Sequence, residues 1–281
     1  MFNNKTASLL TLGLLGLACV PSAAAAPIAV EELEWPTQYV QSGPTSTRVL
    51  VQGHGPAVVI VPSYGRDGGD DFNGLTSALV DAGYLVLRPQ PRGTLGSVGP
   101  MVNVTLDDLA SDVADVIDTI AGGRAIVFGH AFGTFVTKRV ALNYPDKVPA
   151  IVVASPGGQK IPKDIAGMPF VAGNTSLPVA TRLAALELAF FEPATMLTSG
   201  WMGAGDLTAF WAGANSTQVL ELIPSEDPFQ PEDQWNTTAN LYPDRAVSVV
   251  IQNASHALLP ENLAGVVEAV LPYLAQQSTR L

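Results

Sequence analysis

Short apolar runs recur along the chain and alternate with longer stretches of helical spacing. Runs rich in β-branched residues fall at Arg48–Gln52, Ala57–Val61, Leu85–Arg88, Ala125–Phe128, Ala150–Ala154, Val219–Ile223 and Val247–Ile251. Such near-continuous apolar runs predict strands buried on both faces. Between them, a helical apolar period covers Asp71–Ala82, Leu106–Ile120, Phe132–Asn143 and Asn262–Leu274. This alternation predicts an α/β domain, with a mostly parallel central sheet and helices on both faces. No repeat or low-complexity linker divides it, so a single domain over 27–281 is expected.

Two stretches break the rhythm. At the N-terminus, Lys5 precedes the apolar "SLLTLGLLGLACV" and the small residues "SAAAA". That order predicts a signal peptide over 1–26, removed near Ala26, and hence a secreted protein. The apolar run is too short for stable membrane insertion. A lipid-anchored reading through Cys19 is weakened by Gly16, where such signals favour Leu. The second stretch lies between Ser155 and Ala214, where no strand pattern occurs. "VATRLAALELAFF" and "PATMLTSGWMGAGDLTAFWAG" have helical spacing and are rich in apolar and aromatic side chains, among them Phe190, Trp201 and Trp211. An insertion of about 156–214 is expected to cover the strand ends as a lid over an apolar pocket. Composition fits equally well helices that only extend the core.

Charge and cysteine count narrow the function. The chain has 14 Lys and Arg against 25 Asp and Glu, a net charge of −11. Loss of Lys5 with the leader takes this to −12. An acidic chain of this kind is not expected to bind nucleic acid or anionic membrane surfaces. The one cysteine, Cys19, leaves with the leader, so no disulfide, thiol nucleophile or Cys-ligated metal is expected. No phosphate loop or dinucleotide fingerprint appears, and no cofactor or metal is expected. Asn103, Asn174, Asn215, Asn236 and Asn253 each begin an N-x-[ST] sequon, whereas Asn73, Asn143, Asn240 and Asn262 do not. That proportion predicts a glycosylated protein of a eukaryotic secretory pathway.

Candidate chemistry collects at the carboxyl ends of the predicted strands, where open parallel sheets bind ligands. In "FGHAFGTF", Gly129 and Gly133 flank a strand–turn–helix apex occupied by Ala131. The amide of Phe132, the next residue, is a candidate oxyanion donor. The loop "VIVPSYGRDGGDDF" can supply a second amide, assigned to Tyr64, with Ser63 as the neighbouring alternative and a conceivable substitute nucleophile. His256, in "QNASHALLPENL", follows the last strand and precedes the last helix, and of the three histidines it alone sits in a loop at a strand's carboxyl end. Asp227, in "LELIPSEDPFQPED", stands where a carboxylate can accept the imidazole N–H, with Glu226 beside it as the alternative. His54, in "QGHGP", is expected in a hairpin turn between early strands. His130 is expected to point away from the apex.

The order elbow, acid, histidine resembles that of the α/β-hydrolase fold superfamily, over roughly Arg48 to Leu274. "YLVLRPQPRGTLGS" is similar to the family's strand and Arg-Gly loop, with Gln90 where Asp is common, and "HALLPENLAGVVEAVLPYL" resembles its usual ending. The resemblance implies an acid at Asp227 and a base at His256. It also implies Ser at the elbow apex, and there the chain departs, because position 131 is Ala. The expected function is a secreted hydrolase-like enzyme acting on a small apolar ester, lactone or related carbonyl compound, without a covalent acyl-enzyme. The alternatives are a hydrolase-derived lyase or isomerase that eliminates, isomerises or cyclises such a compound, an inactive pseudo-hydrolase that binds a small apolar ligand, and a Ser-to-Ala variant of a serine esterase.

Overall fold

Among the described residues, eight strands build one sheet, in the order β1-β2-β4-β3-β5-β6-β7-β8. They are β1 (Thr37–Ser42), β2 (Thr45–Gly53), β3 (Ala57–Val61), β4 (Leu85–Pro89), β5 (Ile126–His130), β6 (Ala150–Ala154), β7 (Gln218–Pro224) and β8 (Ala246–Ile251). Pairing is antiparallel for β1 with β2 and for β2 with β4, and parallel from β4 through to β8. The computed structural model describes residues 35–63, 68–158, 165, 167–168, 171–172, 174, 176–186 and 216–281. The expected leader, Tyr64, Asn215 and most of the expected lid therefore lie outside the described residues.

All seven strands expected from the apolar runs are present, with ends shifted by at most three residues. β1 was not expected, for a physical reason: of its six residues only Val40 is buried, so it leaves no apolar run. The hairpin expected around His54 is not there. The turn joins β2 to β3, and β4 lies between those two strands in the sheet. His54 is exposed at the start of β3, at the opposite end of the parallel strands from the elbow.

Two helical layers cover the sheet. The described helices are α1 (Asn73–Asp81), α2 (Leu106–Ile120), α3 (Gly133–Asn143), α4 (Val179–Leu186), α5 (Thr237–Leu241), α6 (Leu258–Glu261) and α7 (Leu263–Gln277). Alternate residues of the central strands face opposite layers. Val59 and Val61 of β3 pack with Val113, Ile117 and Val140 from α2 and α3. Val58 and Ile60 pack with Leu75, Leu79, Val266 and Val270 from α1 and α7. Because both faces are covered, the five residues of β3, β5 and β6 are all buried, which explains their unbroken apolar runs.

Local sequence fixes the helix starts. Thr105 accepts from the Asp108 amide, while the Asp108 carboxylate accepts from the Thr105 amide, a reciprocal cap on α2. Asp107, in the same first turn, holds α3 against α2: it accepts from Arg139 Nε at 2.5 Å, Arg139 Nη2 at 2.7 Å and Asn143 Nδ2 at 2.6 Å. These donors, Arg139 first, lower its pKa to about 2. Asn262 caps α7 by accepting from the Gly265 amide at 3.0 Å.

Candidate active site

The elbow is built by close approach. Ala131 follows β5 directly with a left-handed backbone, φ 49°, and is 7% exposed. Its amide donates to Ala154 O on β6 at 2.9 Å. Its carbonyl accepts from the Thr134 amide at 3.0 Å and the Thr134 hydroxyl at 2.7 Å, so the helix starts directly behind it. A Cβ on Gly129 would overlap Thr137 and the Gly133 carbonyl, and one on Gly133 would overlap the carbonyls of Val61 and Pro62. The two glycines are thus required by packing, and they leave residue 131 at the apex. Phe132 already has helical dihedrals, so its amide belongs to the positive end of α3.

Asp227 and His256 lie together. His256 Nδ1 is 2.9 Å from Asp227 Oδ2, and the other carboxylate oxygen accepts from the Phe229 amide at 2.9 Å. Asp227 is buried, whereas its neighbour Glu226 is exposed and interacts with Ser225. With an acceptor on Nδ1, the neutral ring carries its proton there and presents a basic Nε2. The Phe229 ring packs on the imidazole at a centroid distance of 4.4 Å. His130 is buried and closes the arrangement from behind. Its Nε2 is 3.0 Å from the His256 carbonyl, which fixes Nε2 as a donor. The histidine beside the apex is therefore a brace for the histidine loop, a role its place in the sequence did not reveal.

The loop after β3 is anchored from β4. Ser63 is half-buried at its start, and Tyr64 lies outside the described residues. Farther along, the Gly68 amide donates to Gln90 Oε1 at 3.0 Å, and Gln90 Nε2 donates to Arg88 O at 3.0 Å. Arg88 Nη1 donates to Gly69 O at 3.1 Å and to Asn73 Oδ1 at 2.8 Å. Both side chains are buried. The one signal in the sequence was Gln90 itself, the unusual residue of the Arg-Gly loop. The rest of that loop is structural: Arg92 forms a two-point ion pair with Asp112, at 2.6 and 2.9 Å, and Ser97 donates to Gln90 O at 2.8 Å.

A buried polar cluster supports the acid turn from below. Glu221 on β7 is fully buried and accepts from Ser248 Oγ at 2.6 Å, Thr238 Oγ1 at 2.9 Å and Gln230 Nε2 at 3.3 Å. Lys138 of α3 is 2% exposed. Burial lowers its pKa to about 8 against the opposing pull of Glu221. Among the described residues, no group of three or more His, Cys, Asp or Glu could hold a metal ion. Asn103, Asn174, Asn236 and Asn253 are all exposed.

The family model described as the alpha/beta hydrolase fold matches residues 56–191. Epoxide hydrolase A of Mycobacterium tuberculosis is 32% identical over 111 residues, covering 38% of this chain and 34% of the relative. A 2-hydroxy-6-oxononadienedioate/2-hydroxy-6-oxononatrienedioate hydrolase of a Pseudomonas species is 29% identical over 140 residues, 48% of this chain and 45% of the relative. The chain thus spans less than half the length of these curated relatives. Among solved structures, the enol-lactonase of Burkholderia xenovorans superposes with TM-score 0.70 at 20% identity, over 85% of this chain and all of that one (100%). The carboxylesterase CesB of Bacillus subtilis gives TM-score 0.70 at 15% identity, over 87% of this chain and 93% of that one.

Proposed function

Because the chain belongs to the α/β-hydrolase fold superfamily, we propose that it is a hydrolase of a small apolar ester, lactone or related carbonyl compound, acting without an acyl-enzyme. The observation that carries this reading is the His256–Asp227 pair, bonded at 2.9 Å with the carboxylate buried. His256 Nε2 takes a proton from water as the oxygen of that water bonds to the carbonyl carbon. Asp227 accepts Nδ1–H and stabilises the imidazolium that forms. The amide of Phe132, with that of Tyr64, carries the negative charge of the tetrahedral intermediate. The same proton then goes to the leaving oxygen as its bond to carbon breaks. Activity on a lactone and an ester, named for the enol-lactonase and the carboxylesterase, fits this chemistry. The test is turnover of phenyl acetate and a small aryl lactone by the protein and by His256→Ala. Equal turnover by both would refute the reading.

One observation favours a second reading, a pseudo-hydrolase that holds its ligand unchanged: the apex residue is Ala131, which has no nucleophile. More than one product molecule per protein eliminates it. We further propose export through the secretory pathway, with a leader ending near Ala26, glycans on the sequon asparagines and a lid over about 156–214. Support for the glycans is the exposure of Asn103, Asn174, Asn236 and Asn253. N-terminal sequencing and the mass lost on glycosidase treatment of protein secreted from a eukaryotic host test export and glycosylation. An intact Met1, or no mass change, would count against them.

A further inference from the structure

The residue directly after β6 repeats the backbone of the elbow. Ser155 has φ 50°, against 49° for Ala131. The two stand side by side: His130 pairs with Ala154 in the β5–β6 register, and the Ala131 amide bonds to Ala154 O. On the other side, the Ser155 amide donates to Leu222 O of β7 at 2.9 Å, five residues before Asp227. Three residues on, the Gly158 amide donates to Phe229 O at 2.6 Å, and the Phe229 ring packs on His256. Ser155 therefore occupies the strand end between the elbow and the acid.

Two costs are sustained at this position. A left-handed backbone disfavours any side chain with a Cβ. In addition, the Ser155 hydroxyl is fully buried and has no hydrogen-bond partner among the described residues. A buried hydroxyl without a partner costs about as much as a whole hydrogen bond contributes. Glycine would remove both costs, and the chain uses it two residues later, at Gly157 with φ 73°. A polar partner that arrives from outside, at the end of the sheet where the site lies, accounts for the unpartnered hydroxyl and for a side chain being kept where glycine would be less strained.

We propose that Ser155 is a substrate-binding group, whose hydroxyl donates a hydrogen bond to an oxygen of the bound carbonyl compound. This rests on the proposed substrate class but not on the proposed catalysis. Rotation about the Cα–Cβ bond turns the hydroxyl among its three staggered directions, and ligand entry selects the one that makes the bond. The elbow presents only a methyl group at this row of strand ends, so Ser155 supplies polarity that residue 131 lacks.

The test is binding of an aryl trifluoromethyl ketone, followed by 19F NMR, to the protein, Ser155→Ala, Ser155→Gly and His256→Ala, with thermal melts of each. The expected result is ketone affinity about fivefold weaker in Ser155→Ala, the worth of a neutral hydrogen bond, at an unchanged or raised Tm. Ser155→Gly weakens the ketone equally and melts higher. Unaltered affinity in both variants overturns the inference, and so does a parent protein that does not bind the ketone. The two proposals fail separately. If ester turnover ignores His256 but Ser155→Ala still loses affinity, the binding role stands and the catalytic reading falls. If turnover needs His256 and both Ser155 variants bind normally, only the binding role falls.

Discussion

Exchanging Lys138 for Met isolates the cost of burying one ammonium group under the elbow helix. Burial lowers the Lys138 pKa from 10.5 to about 8, and Glu221 opposes that shift. Below the folded value both states carry the proton, and the native state bears the full cost of the buried charge. Between the folded and the unfolded values the unfolded chain binds more protons, so stability rises with pH. The gap from about 8 to 10.5, at about 1.4 kcal/mol per pH unit, amounts to roughly 3 kcal/mol. Methionine, unbranched and one atom shorter, fills most of the same space and removes the titration. Urea unfolding of both proteins, from about pH 7 to about pH 10.5, gives two stability curves whose difference cancels every other titrating group. The stability of the parent relative to Lys138→Met is expected to climb across that window, with most of the climb above pH 8. A flat difference would refute the reasoning, because it would mean that the ammonium is not desolvated. A falling difference would mean that Glu221 outweighs burial.

Three further outcomes are expected. Asp227→Asn keeps an acceptor for the Phe229 amide but removes the charge facing His256. A charge-assisted bond is worth about 1.5–3 kcal/mol, so kcat/KM on phenyl acetate should fall roughly ten- to 150-fold, and an unchanged rate would contradict the role of the pair. Ala131→Ser places a hydroxyl at an apex whose backbone is already left-handed, so a fluorophosphonate should label the variant, as read by intact mass, and leave the parent unlabelled. Absence of label on the variant would show that the elbow and His256 are not aligned. Gln90→Leu orphans the buried Gly68 amide at a cost of about 1–3 kcal/mol, to be read in urea melts, together with faster hydrogen exchange at Gly68; wild-type stability would argue against the anchor.

The central strands were legible because burial on both faces writes itself as an unbroken apolar run. β1 was illegible for the converse reason, since Val40 is its one buried residue. Strand order is not encoded in such runs. Two strands that follow one another invite a hairpin, yet β4 intervenes between β2 and β3 and leaves His54 in a crossover turn. The meeting of Asp227 with His256 could be expected because each follows a readable strand, and the two side chains do lie together. Gln90, Arg88, Ser155 and the bracing role of His130 could not be read in the same way. Each acts through a partner far off in sequence, or through the lack of one, and no periodicity reports that. The sequons show a related ambiguity. Thr105 caps a helix, Thr238 donates to Glu221 and Ser255 donates to Glu261, so three of their hydroxyls have uses of their own.

The brace at His130 changes what an alteration at the elbow can do. In an arrangement where a serine hydroxyl helps to hold the imidazole, losing the serine would also loosen the base. Here the histidine loop is gripped by its main chain from β5 and by its ring from Asp227, and neither grip passes through side chain 131. The hold on the imidazole therefore does not depend on the side chain at the apex. Under the proposed catalysis, such a scaffold can exchange the group at its apex, and with it the kind of reaction, while His256 and Asp227 stay in register.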